Sequence, residues 1–394
     1  MKLAVGLMEG ADSVDVELQG EFFDAEGRKY TAGRYSMVKD IQLTPAGENA
    51  SFAIDNVTIG IGFHWERKER QAFRGGLRIV QGKGLTVIND VPLEEYVTSV
   101  ISSEMSATCP LELLKAHAVI SRSWLCHPKL HPEYVGPGNV SIRNGDEITR
   151  WYGREAHVGF DVCADDHCQR YQGITKAYSP SAADAVTATA NEVLQYSGEV
   201  CDARFSKCCG GVTEEYRTAW DDRHVPYLVS FPDTDEDGEV YCNTNDQALL
   251  ARILPGFDQE TQDFYRWTVR YSGDEIRDLV RLRLKEDLGT VVALLPLQRG
   301  PSGRIIRLRI EGESRSIIIG KELEIRRALS RSHLYSSAFE VEREGAVFVL
   351  KGKGWGHGVG LCQIGAAVMA ARGKTYREIL HHYYPGTSTG ALSG

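Results

Sequence analysis

Two hydrophobic periods run along this chain. SVDVELQG (13–20), RYSMVKDIQLTP (34–45) and SFAIDNVTIGIGFHW (51–65) alternate apolar and polar side chains between Gly, Pro and Asp turns, which predicts strands and a small β module over 1–72. FRGGLRIVQGKGLTVINDVPL (73–93) reads as a hairpin feeding a helix. The period then lengthens. In LEEYVTSVISSEM the apolar residues are Leu93, Val97, Val100 and Ile101, one helical stripe. A second helix follows in PLELLKAHAVISRSWLCH, with Pro110 in its first turn and Thr108 as a cap. Residues 127–220 mix turns with cysteine clusters. Residues 221–345 open on an acidic loop, PDTDEDGE, and then alternate a helical pattern (DEIRDLVRLRLKEDL) with strand patterns (RIIRLRIEG, RSIIIG). The expected fold is α+β. A helix pair packs with mixed strands around a cleft in 73–220, a second α/β lobe covers 221–345, and 346–394 completes the core.

One polar residue breaks the first helical stripe. At 100° per residue, Glu104 falls about 20° from Leu93. A carboxyl on an apolar face is costly unless paired or protonated, and desolvation raises its pKa, the property a general acid needs at neutral pH. Pairing with a buried Lys or Arg is the plainer outcome. On the next helix Lys115 and Arg122 lie seven apart on one face, suited to an anionic group or to positioning a carboxylate, or else forming a solvated basic edge.

A second motif sits near the C-terminus. In GKGWGHGVGLCQIGAAVMAARGKTYREILHHYYPGTS, glycine occupies every second position from 352 to 360. If this stretch is extended, one face is bare backbone and the other carries Lys353, Trp355, His357 and Val359. Trp355 and His357 would then line a pocket for a sugar or ring; the alternative is a glycine-rich turn packed for steric reasons. No phosphate-loop spacing is present. CQIGAAVMAARG reads as a small-residue helix ended by Gly373, and Thr375 with Glu378 forms a capping box for a last helix that Pro385 stops.

Charge and composition exclude some classes. A net charge of −9 argues against nucleic acid and anionic membranes as main partners, and no apolar run reaches the length of a membrane span. The first residues, MKLAVGLMEGADSVDVELQG, do not form a usable signal peptide, so the chain is cytoplasmic or an export segment has been removed. Nine cysteines leave at least one unpaired. Their clustering points to metal or redox chemistry, although Cys201, Cys208, Cys209 and Cys242 could pair in an oxidising compartment. HVGFDVCADDHCQRYQG places His157, Cys163, His167 and Cys168 in one loop, a donor set that suits zinc, without finger spacing.

Together LEEYVTSVISSEMSATCPLELLKAHAVISRSW, DVCADDHCQRYQG with CDARFSKCCGGVTEEY, and GKGWGHGVGLCQIGAAVMAARGKTYREILHHYYPGT resemble the SpoIID/LytB family in content and order, over about 73–387. The resemblance implies a peptidoglycan lytic transglycosylase. Such an enzyme cleaves the β-1,4 bond between N-acetylmuramic acid and N-acetylglucosamine in glycan strands free of stem peptides, leaving 1,6-anhydro ends. It maps the catalytic glutamate onto Glu104, the Lys and Arg of the next helix onto Lys115 and Arg122, and a structural zinc onto His157, Cys163 and Cys168; Trp355, His357 and Gln363 are the further candidate substrate contacts. His167 is held as a substrate-side residue or substitute ligand. His117, Ser121, Cys362 and Cys109 stand where the family usually has Gln, Ala, Ser and Trp. Periplasm or cell wall follows from the substrate.

The chemistry accords with one carboxyl. Hydrolytic glycosidases need two, whereas a transglycosylase lets the muramic 6-hydroxyl attack C1, so one group can serve first as acid and then as base. Two other readings compete. One is a glycan-binding enhancer of a separate cell-wall amidase. The other is a zinc hydrolase with metal-bound water, which the cysteine ligands disfavour.

Overall fold

The computed structural model describes residues 1–63, 65–130, 138–153, 157–256, 258–260 and 263–392. It is an α+β fold whose chain divides into two units: 1–122, 156–191 and 252–255 form the first, the rest the second.

In the first unit, a seven-stranded sheet runs in the order Val162–Cys163, Lys2–Ala11, Gly84–Pro92, Gly76–Gly82, Ile41–Pro45, Phe22–Phe23, Lys29–Tyr30. A four-stranded sheet runs Gly33–Met37, Val14–Gln19, Ser51–Ile59, Arg67–Arg74. The 73–93 hairpin forms as expected, Gly84 opposite Gly82. The stretch 34–45 is not one strand. It breaks at the exposed residues 38–40, and its halves enter different sheets. The boundary expected at 72/73 does not separate two sheets either, because Lys2–Ala11 pairs with Gly84–Pro92.

Helix α1 (Leu93–Glu104) leaves the end of that central strand. Tyr96, Val97, Val100 and Ile101 are fully buried. Tyr96 stacks on Tyr171 at 5.2 Å, and Tyr171 on Phe73 at 5.9 Å. The Tyr171 hydroxyl donates to Asn89, whose amide donates to the Arg74 and Gly76 carbonyls. This chain of contacts fixes α1 against the sheet and sets where its last residue lies. Helix α2 (Leu111–Leu130) follows. Thr108 does not cap it; its hydroxyl donates to the Arg252 carbonyl. Helix α3 (Pro180–Ala188) packs on α1.

The second unit contains α4 (Tyr216–Ala219), most of α5 (Gln247–Ile253), α6 (Gly273–Leu284), α7 (Glu322–Ala328), α8 (Gln363–Ala371) and α9 (Tyr376–Tyr383). Its five-stranded sheet runs Asn139–Asn144, Glu147–Tyr152, Ser316–Gly320, Ile305–Gly312, Val291–Arg299. A three-stranded sheet pairs Val347–Lys353 with Arg266–Ser272 on one side and Phe339–Glu344 on the other. Segments expected in three parts of the chain thus share sheets, over one core that includes Ile276, Leu308, Ile319, Phe348 and Leu350. The capping boxes at Ser272/Glu275 and Thr375/Glu378 are both formed. No described helix is long and apolar enough to cross a membrane.

Candidate functional site

Glu104 is the last residue of α1 and is 9% exposed. Its Oε1 accepts a hydrogen bond of 3.0 Å from the Arg170 backbone amide. Arg170 lies two residues beyond Cys168. Its guanidinium is tied to Asp166 at 2.6 Å and sits 4.7 Å above the Trp65 ring. Beside it, Gln169 accepts from the Tyr96 hydroxyl at 3.2 Å. The segment after the donor loop therefore lies along α1 and holds the carboxyl.

The four donors of that loop converge. The ligand atoms of His157, Cys163, His167 and Cys168 all lie within 4.8 Å of one another. His157 Nε2 is 3.2 Å from Cys168 Sγ, and His167 Nδ1 is 3.5 Å from Cys168 Sγ and 3.8 Å from Cys163 Sγ. The Cys168 thiol, with His157 and His167 nearby, drives the Cys163 thiol down to about 2 against the opposing effect of burial. Two imidazoles and two thiols at this spacing fit a tetrahedral zinc site with four protein ligands. His167, read from sequence as either a substrate-side residue or a substitute ligand, lies with the other three donors.

Lys115 and Arg122 make other pairings. Lys115 Nζ is 2.7 Å from Glu112. Arg122 is fully buried, and its guanidinium takes both oxygens of Glu94, at 3.1 and 2.6 Å. A guanidinium enclosed this way braces α2 on α1 and offers no surface to a substrate, which corrects the substrate-contact expectation for Arg122. Two departures from the family pattern meet each other: His117 Nδ1 lies 3.0 Å from Ser121 Oγ, one helical turn on, both buried.

In the second unit the glycine-rich motif is extended only at its start, where Gly352 and Lys353 end the strand Val347–Lys353. Gly354, Gly356, Gly358 and Gly360 have φ of 75°, 88°, 75° and 72°, a left-handed region that other residues enter at a cost. The bare backbone packs against the protein itself. A Cβ at Gly358 would lie 2.4 Å from the Arg304 guanidinium carbon, and one at Gly360 2.0 Å from the Arg204 carbonyl. Trp355 packs edge-on against Tyr335 at 4.8 Å and tilted on Phe264 at 5.0 Å. His357 Nδ1 accepts from the Val359 amide at 3.0 Å, and the Phe205 backbone engages the ring as well. Gln363, at the start of α8, is 2% exposed. Trp355 and His357 thus make these contacts with the protein itself.

Arg304 gives no signal of its role in the sequence. It is fully buried and donates to the Gly356 and Cys209 carbonyls and to Ser302. It carries no periodic signal, since apart from Ser302 its partners are backbone carbonyls distant in sequence. Nor does the sequence signal a cavity of about 550 Å³ lined by His127, Tyr196, Asp202, Tyr216, Arg223 and Tyr227.

Burial, with Arg204, Arg304 and Arg326 nearby, pushes the His357 imidazole well below its ordinary range. Burial first, then Arg326, Arg327 and Arg283, holds His333 down to about 3. Both are neutral in the folded chain and take up protons near pH 6.5 when it unfolds. Below about 6.5 the unfolded state therefore binds more protons, and stability falls as pH drops towards 3. The urea midpoint should be lower at about pH 5.5 than at about pH 7; equal midpoints would contradict the neutral assignment.

Residues 81–196 match the family model "Stage II sporulation protein", and residues 214–360 match a domain of unknown function. Stage II sporulation protein D of Bacillus amyloliquefaciens is 27% identical over 300 residues, 76% of this chain and 74% of the relative. Its counterpart in Bacillus subtilis strain 168 is 26% identical over 76% and 75%. An amidase enhancer of Bacillus subtilis strain 168 is 25% identical over 73% of this chain and 39% of the relative.

Proposed function

On the premise that the chain belongs to the SpoIID/LytB family, we propose that it is a lytic transglycosylase of peptidoglycan glycan strands, acting outside the cytoplasm in the periplasm or cell wall. The observation that carries this reading is Glu104: one carboxyl, buried at a helix end and oriented by a backbone amide. Glu104 in its acid form gives a proton to the bridging oxygen as the C1–O bond breaks. The carboxylate then accepts the proton of the muramic 6-hydroxyl as that oxygen bonds to C1, which restores the acid. No water enters, so no second carboxyl is required, unlike in hydrolysis.

Arg122 is a positioning residue in this scheme, bracing α1 through Glu94. His157, Cys163, His167 and Cys168 would hold zinc, which supplies a cross-link that fixes the loop. The loop's own part is to place the Arg170 amide on Glu104. A strong zinc chelator should accordingly lower the melting temperature and the activity together. Lost activity with unchanged melting would instead indicate a metal acting on substrate. The test of the reaction is mass spectrometry of products from stem-free glycan strands, where 1,6-anhydromuramyl ends are expected.

The likeness to an amidase enhancer favours a second reading, in which the chain binds glycan and stimulates a separate amidase without cleaving. Stimulation of an amidase with no anhydro product would support it.

A further inference from the structure

The second unit contains another donor cluster, apart from the loop at 157–168. Cys209, Asp233, Cys242 and Cys362 place their ligand atoms within 4.8 Å of one another. All four side chains are buried, none more than 2% exposed. From these residues we infer a second metal site, a closed structural site for one thiophilic divalent cation such as zinc, built from three thiolates and one carboxylate.

The spacing is that of a coordination shell. Zinc–sulfur bonds of about 2.3 Å in a tetrahedron put two sulfurs about 3.8 Å apart, and sulfur and oxygen about 3.5 Å apart. Cys209 Sγ lies 3.6 Å from Cys242 Sγ and 3.2 Å from Asp233 Oδ2. A disulfide would need about 2.05 Å, and all nine cysteines are unbridged. The buried Cys208 thiol lies against Cys242 and Cys362 and adds a further sulfur beside the set.

The surroundings suit charged ligands. Backbone amides of Cys209 and Gly365 point at Cys362 Sγ, at 3.2 and 3.4 Å, and that of Gly211 points at Cys209 Sγ at 3.4 Å. Asp233 Oδ1 accepts from the Tyr383 hydroxyl at 2.9 Å and lies 3.0 Å from His382 Nε2. That outer support leaves Oδ2 towards Cys209, the arrangement seen around ligating carboxylates. Three thiolates and a carboxylate together in a buried site need a cation to offset their charge, and binding the ion releases the thiol protons. The donors come from segments at 209, 233, 242 and 362, so one ion ties the start of α8 to three other points of the chain. This site does not depend on the proposed catalytic activity.

The test is elemental analysis and native mass spectrometry of the full chain purified with zinc under reducing conditions. Cys163→Ser with Cys168→Ser removes the other donor set. That variant should retain one zinc per chain, and adding Cys242→Ser and Cys362→Ser should remove it. Serine at 362 keeps a side-chain acceptor for the Gly365 amide, which preserves the α8 cap. Should the quadruple variant fail to fold, cobalt loading of the first variant decides. A thiolate-to-cobalt charge-transfer band supports the site. A folded first variant that binds neither metal, or one with a Cys209–Cys242 disulfide in place of metal, overturns it.

Discussion

Glu104→Gln should abolish the release of 1,6-anhydromuramyl products while leaving the protein folded. The amide oxygen still accepts from Arg170, so the end of α1 keeps its support. What is lost is the proton the leaving oxygen needs and the base that deprotonates the 6-hydroxyl. General acid–base groups contribute roughly 10²–10⁴-fold, and here one side chain serves in both steps. Rates from mass spectrometry of glycan products, read beside melting curves, test this. A Gln variant as active as the wild type would remove the proposed mechanism, whereas a variant that melts far earlier would mean that Glu104 serves the fold.

A large loss of stability is expected at Gly358→Ala. The residue has φ of 75°, and a new Cβ would meet the Arg304 guanidinium at 2.4 Å. Arg304 cannot step aside, because its nitrogens hold the Gly356 and Cys209 carbonyls and Ser302. Left-handed backbone costs about 1–2 kcal/mol and overpacking about 1–3 kcal/mol, so a loss of about 2–5 kcal/mol is expected. Gly345→Ala is the control: φ is 63° and nothing lies within 4 Å of its Cβ. Denaturant curves for the two variants separate the clash from the backbone effect. Equal midpoints would mean that Arg304 does not fill the loop.

What could be read in the sequence was what depends on local spacing. The hairpin at 76–92, the α1 stripe, the strands at 305–312 and 316–320 and the capping box at Thr375 all rest on contacts between near neighbours. The donor loop at 157–168 was legible because all four of its donors fall within twelve residues. The second cluster was not, since its donors span Cys209 to Cys362 and only folding brings them together. Alternation misled at 352–360. A two-residue period suggests a strand throughout, yet from Gly354 onward the glycines serve left-handed backbone, and the bare sides of Gly358 and Gly360 receive Arg304 and the Arg204 carbonyl. The seven-residue spacing of Lys115 and Arg122 does not reveal that Glu112 and Glu94 pair with them.

The strand at Lys2–Ala11 has a consequence for anyone trimming this protein to its recognisable domain. It lies between Gly84–Pro92 and Val162–Cys163, opposing Gly6 to Cys163. The Asp161 and Ala164 amides donate to the Ala4 and Gly6 carbonyls, and the Asp161 carboxylate accepts from the Ala4 amide. A fragment cut at residue 81 would keep every histidine and cysteine of the donor loop and discard the scaffold that sets their register. The opening residues, far in sequence from the chemistry, are the splint on which that loop is set.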